Sequence, residues 1–111
     1  GMPGTLNLER SAKVNAFVDY AYENQKLVCA ICAAPSILGH KGMLKGKKAV
    51  CFPGFESELE GAELSDSFVV TDGNIITAKG MGSAVKFGIA IGAAFVGEAK
   101  MKKIEESLQC S

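Results

Sequence analysis

The segment Leu27-Val28-Cys29-Ala30-Ile31 is an unbroken apolar run, and Cys32-Ala33-Ala34-Pro35-Ser36 follows it directly. Five apolar residues without polar alternation form the pattern of a strand buried on both faces of a parallel sheet. Pro35 suits the first turn of a helix, where its missing N–H costs nothing. The chain therefore passes from buried strand to helix within a few residues, and Cys32 occupies the turn. That demand points to a layered α/β fold.

The rest of the chain fits such layers. Ser11 can cap a helix reaching about Asn24, with Val14, Phe17, Val18 and Ala21 on its apolar face. The helix after Cys32 spans about residues 33–41 and stops at Gly42. Residues 48–52 read as the next strand, ended by Pro53. After an acidic segment, residues 68–71 and 74–77 flank Asp72-Gly73, the strongest short hairpin signal in the chain. Gly80-Met81-Gly82-Ser83 opens a nearly all-apolar helix to about Val96, on which Gly88 and Gly92 suggest close packing. A charged amphipathic helix at residues 98–108 closes the chain.

Composition removes several classes of function. The 111 residues carry 12 Lys+Arg, 12 Asp+Glu and one His, a formal net charge of zero. That gives no sequence-wide electrostatic reason to expect nucleic acid or an acidic membrane as partner. A hydrophobic fraction of 48% excludes disorder. The longest apolar stretch, residues 87–97, has about half the ~20 residues of a membrane-spanning helix. Four cysteines (Cys29, Cys32, Cys51 and Cys110) are too few for a disulfide-stapled scaffold. A single domain over residues 1–111 in the reducing cytoplasm is the expectation.

Chemistry concentrates at Cys32. A thiol between strand and helix faces unsatisfied backbone N–H groups and the positive end of a helix dipole, surroundings that favour thiolate. The same N–H groups, Ala33 first, can hold a developing oxyanion. This is the arrangement of a nucleophile elbow. Equally open from these residues alone is a small apolar residue closing a strand.

The stretch Ala30-Ile31-Cys32-Ala33-Ala34-Pro35 closely resembles the elbow of the ThiJ/PfpI superfamily, in its DJ-one (parkinsonism-associated deglycase) branch. Gly1 to Gly4 through Asn7-Leu8 resembles that family's Gly-Gly-x-x-Gly…Asn-Leu loop from its second glycine. Phe52-Pro53-Gly54-Phe55-Glu56, Asp72 to Thr77 and Lys79-Gly80-Met81-Gly82 follow in the family's order. The resemblance implies a flavodoxin-like sandwich of the class I glutamine amidotransferase type. It implies Cys32 as a nucleophilic and oxidisable cysteine, with the N–H groups of Gly1 and Ala33 as its oxyanion pocket and Met2 and Phe52 lining it. It implies no cofactor and no metal, a homodimer, and action on small reactive aldehydes such as methylglyoxal or their protein adducts. Alternatives are a redox-sensing or chaperone-like protein in which Cys32 is oxidised, and an inactive fragment. The family's first strands, with the Glu that hydrogen-bonds the nucleophile, precede the Gly-Gly loop; the resemblance therefore covers the C-terminal part of the family domain and implies a complementary N-terminal segment or chain.

Three positions depart from the family. Ala33 stands where protease-like members carry His, so a Cys-His dyad has no local support. Phe52 stands where relatives of the human deglycase often have His, and Gly80-Met81 replaces Gly-Pro.

Other motifs have plainer explanations. Cys29-Ala-Ile-Cys32 matches C-x-x-C, but residues three apart on a strand point to opposite faces. Cys110 reads as a surface thiol. His40 falls at the end of the elbow helix, where a cation suits the dipole. With Cys29, Cys32 and Cys51 it matches no common zinc spacing. Gly80 to Ser83 lacks the further residues of a phosphate loop. Lys41, Lys45, Lys47 and Lys48 are balanced by Glu56, Glu58, Glu60 and Glu63.

Overall fold

The computed structural model describes residues 2–96; Gly1, Cys110 and the charged helix expected at 98–108 lie outside the described residues. A helix not anticipated from the sequence comes first: α1, Gly4–Arg10, in which Thr5 is buried. Ser11 ends α1 and starts α2, Ala12–Glu23. Its N–H donates to the Leu8 carbonyl at 3.1 Å, and its hydroxyl accepts from the Val14 N–H at 3.3 Å. Val18, Ala21 and Tyr22 of α2 pack on the core. Phe17, expected among them, is 76% exposed. The inward stripe is centred nearer Val18 and Tyr22, and at 3.6 residues per turn Phe17 lies roughly a quarter turn away.

β1, Val28–Ile31, pairs in parallel with β5, Ile75–Ala78, Val28 opposite Ile75 and Ile31 opposite Ala78. β4, Val69–Asp72, lies antiparallel on the far side of β5, giving the order β1-β5-β4. All four residues of β5 are buried. β1 is different. Val28 and Ala30 are buried, but Cys29 is exposed, contrary to the expected burial on both faces. β1 is an edge strand among the described residues.

α3, Pro35–His40, is shorter than expected because residues 32–34 form a turn ahead of it. β2, Lys48–Ala49, pairs in parallel with β3, Glu63–Leu64, in a separate ribbon. The expected strand at 48–52 stops early because its amides leave the ladder. The Val50 N–H donates to the Thr77 hydroxyl at 3.0 Å and the Phe52 N–H to the Cys32 carbonyl at 2.7 Å. Between these strands the acidic segment makes a single 3-10 turn, Glu56–Glu58.

The hairpin forms one residue later than Asp-Gly suggested. Asp72 pairs with Ile75, so Gly73 and Asn74 make the two-residue loop. Gly73 takes φ +60° at the first loop position, where a type II′ turn requires glycine. A 3-10 turn, Met81–Ser83, leads into α4, Ala84–Val96. A Cβ built on Gly88 meets nothing within 4 Å among the described residues, so none of them requires the expected close packing there. Leu44, Ile75 and Ile76 are the largest apolar side chains removed from water among the described residues, and Leu38, Ala49 and Leu59 pack with Leu44 and Ile75. No helix among the described residues is long and apolar enough to cross a membrane.

Candidate active site

Cys32 holds φ +67°, in the left-handed region that a side chain with a Cβ enters at a cost of about 1–2 kcal/mol. Hydrogen bonds on both sides hold it there. Its N–H donates to the Ala78 carbonyl at 3.0 Å, and its carbonyl accepts from Phe52 at 2.7 Å. The end of β5 and the segment after β2 thus grip one residue from two directions, which is how a strained backbone persists. The thiol remains partly accessible.

The turn beyond is closed by its own backbone. Ala34 N–H donates to the Ile31 carbonyl at 3.2 Å, and the Ser36 hydroxyl donates to the Ala33 carbonyl at 2.7 Å. Pro35 stands in the first turn of α3, as the sequence required. Ala33 is 2% exposed, and no described residue accepts from its N–H. An unspent donor one residue past a thiol is the element an oxyanion pocket needs.

The remaining expected pocket residues are less fully assembled. The Phe52 ring, 46% exposed, lies over Gly80, where an added Cβ would approach Phe52 Cδ2 to 3.3 Å. Met2 is exposed ahead of α1, and Gly1 is outside the described residues. Among the described residues no side chain hydrogen-bonds the Cys32 sulfur. Among the described residues the elbow carries a thiol and an N–H donor, with no acid or base hydrogen-bonded to the sulfur.

Cys51, next to Phe52, is 4% exposed, and its thiol is pushed up to about 11, first by burial and then by the charge of Glu56. Cys29, Cys32 and Cys51 are all free. They form no metal cluster with His40 or any other group among the described residues. His40 instead joins three elements. Its Nε2 meets Glu58 of the 3-10 turn at 2.6 Å and its Nδ1 meets Glu9 of α1. The hydrogen bond to Glu58 and then that to Glu9 push the imidazole pKa upward. This cluster was invisible in the sequence, where its members stand 18 and 31 residues apart. The Gly80 to Ser83 turn closes on itself, Ser83 Oγ donating to the Gly80 carbonyl at 2.8 Å. Lys41 pairs with Asp19 at 2.8 Å, and Lys48 lies opposite Glu63.

A strand that delivers a cysteine, in left-handed backbone, to the turn before a helix is the elbow geometry of an α/β fold. The chain belongs to the DJ-1/PfpI family, whose model matches residues 1–94. It is 30% identical over 110 residues to the protein dj-1beta of Drosophila melanogaster, covering 97% of this chain and 59% of that protein. It is 35% identical over 83 residues to a protein named deglycase from Pyrococcus horikoshii, covering 70% of this chain and half of the relative. Among solved structures, oxidized Toxoplasma gondii DJ-1 superposes with a TM-score of 0.91 at 30% identity, and Drosophila DJ-1beta with 0.89 at 29%. Each match covers all of this chain and 61% of the other. The fold is thus the mixed α/β fold of these structures, and the chain spans about six-tenths of their length.

Proposed function

We propose that Cys32 is the nucleophile of a cofactor-independent, glyoxalase- or deglycase-type site acting on small reactive aldehydes or their protein adducts. The observation that carries this reading is the Cys32 backbone at φ +67°, gripped from two sides, with no described residue accepting from the Ala33 N–H. In the proposed step the Cys32 thiolate adds to an aldehyde carbon. The carbon–sulfur bond forms as the carbonyl π bond opens onto oxygen, and the oxyanion is held by Ala33 N–H and by Gly1 N–H. Protonation gives the hemithioacetal. Phe52 and Met2 flank the entering aldehyde.

Later proton transfers need a base. We place it on polypeptide packing against the open edge of β1, supplied by a second copy or by a complementary chain. The edge of β1, unpaired among the described residues, and the span of about six-tenths of the solved relatives support that placement. The deglycase name of the Pyrococcus relative supports the substrate class. A second reading, in which Cys32 is a redox sensor, is favoured by its partly accessible thiol and by the oxidized state of the Toxoplasma relative. Lactate release from methylglyoxal by the chain and by Cys32→Ser decides between them. Turnover lost in the variant is expected; no Cys32-dependent turnover, with peroxide uptake at Cys32, overturns the enzymatic reading in favour of the sensor.

A further inference from the structure

Two thiols stand on either side of one backbone hydrogen bond at the elbow. The Phe52 N–H donates to the Cys32 carbonyl at 2.7 Å, and Cys51 immediately precedes Phe52. Through that bond, the Cys32 carbonyl and the Phe52 nitrogen, standard backbone dimensions hold the Cα atoms of Cys32 and Cys51 to within about 7.5 Å of each other. Disulfides bridge Cα separations of about 4.4–6.8 Å. Both cysteines are free, Cys32 partly open and Cys51 buried. The Cys51 thiol also feels the charge of Cys32, a further sign of their closeness. Cys29 lies three residues back, within β1, at an exposed position.

We propose that Cys51 is the resolving thiol for Cys32, so that oxidation by a hydroperoxide ends in an intrachain Cys32–Cys51 disulfide. The inference rests on the reading of Cys32 as a reactive cysteine. The Cys32 thiolate attacks one peroxide oxygen, the O–O bond breaks, and Cys32 becomes a sulfenic acid as hydroxide leaves. Cys51 sulfur then attacks Cys32 sulfur. The S–O bond breaks, and the departing oxygen leaves as water with the Cys51 proton. Two thiols lose two electrons and one peroxide gains them. Burial keeps external oxidant from Cys51, so its oxidation passes through Cys32.

The test uses the full chain with Cys29 and Cys110 changed to Ser, treated with limiting hydrogen peroxide and followed by intact mass and peptide mapping. The expected product has lost two hydrogens (about 2 Da), links the Cys32 and Cys51 peptides, and is restored by dithiothreitol. In Cys51→Ser and Cys51→Ala, Cys32 instead gains two oxygens (about 32 Da) several-fold faster than in the parent. The proposal is overturned if the parent itself takes up two oxygens at Cys32 while Cys51 is recovered as free thiol after denaturation; this readout needs no variant. Cys32 inert to both peroxide and iodoacetamide removes the reactive-cysteine reading as well, a separate result.

Discussion

Replacing Cys32 by Gly and by Ala gives two proteins without the thiol that differ only in a Cβ at φ +67°. The backbone bonds to Ala78 and Phe52 are available to both. Alanine keeps the left-handed cost of about 1–2 kcal/mol, which glycine escapes. Glycine in turn orders a more flexible unfolded chain, at about 0.4–1 kcal/mol. The glycine variant is therefore expected to be the more stable by about 0.5–1 kcal/mol, the reverse of the order in a regular helix or strand. In a domain of this size that is a Tm higher by roughly 2–8 °C. Urea and thermal unfolding of the two variants, at one pH and with excess reductant, measure the difference. An alanine variant as stable as the glycine variant would refute the claim that the elbow stores strain. Neither variant should process methylglyoxal, so the experiment separates stability from chemistry.

The carboxylates around His40 lead to a pH dependence. Neutral imidazole has one N–H, so both Glu9 and Glu58 are satisfied only by the imidazolium. The folded pKa lies above the ordinary value of about 6.5, so the contribution is fully present below that pH and is lost as pH rises through the folded value. Side chains this accessible limit it to about 0.5–1 kcal/mol. The Tm advantage of the parent over His40→Ala should shrink between pH 6 and pH 8, and the proton spectrum of the one histidine should titrate above 6.5; a titration at or below that value would contradict the arrangement. Gly39→Ala is a packing test. Its Cβ would stand 2.1 Å from the Glu58 carbonyl oxygen and 2.8 Å from Leu59 Cα, backbone atoms that cannot rotate aside. A loss of about 1–3 kcal/mol or more is expected in urea unfolding, and a change within about 0.5 kcal/mol would show that the two segments separate easily.

Features set by neighbours along the chain were readable in the sequence. Pro35 after Cys32 fixed the elbow, Ser11 fixed a helix start, and Gly73 fixed a hairpin to within one residue. Features set by what lies across space were not. Cys29 has the apolar neighbours of an interior strand, yet its exposure depends on which element stands beside β1, and local pattern carries no such information. Phe17 fits the helical period but sits at the margin of the stripe, where a modest rotation of α2 decides the outcome. At the site, the thiol and the Ala33 donor were legible because one turn builds both. The grip of Ala78 and Phe52 on Cys32, and the Glu9–His40–Glu58 cluster, join segments distant in sequence.

The close approach at Gly39 bears on how the elbow can move. α3 is six residues, about 9 Å of helix, with the cysteine turn at one end and Gly39 seated against the Glu58–Leu59 backbone at the other. Such a strut has no room to slide or roll at its far end. A bulky adduct on Cys32 cannot be accommodated by swinging α3 outward unless residues 58 and 59 travel with it. Displacement at the sulfur would then be geared to the acidic loop.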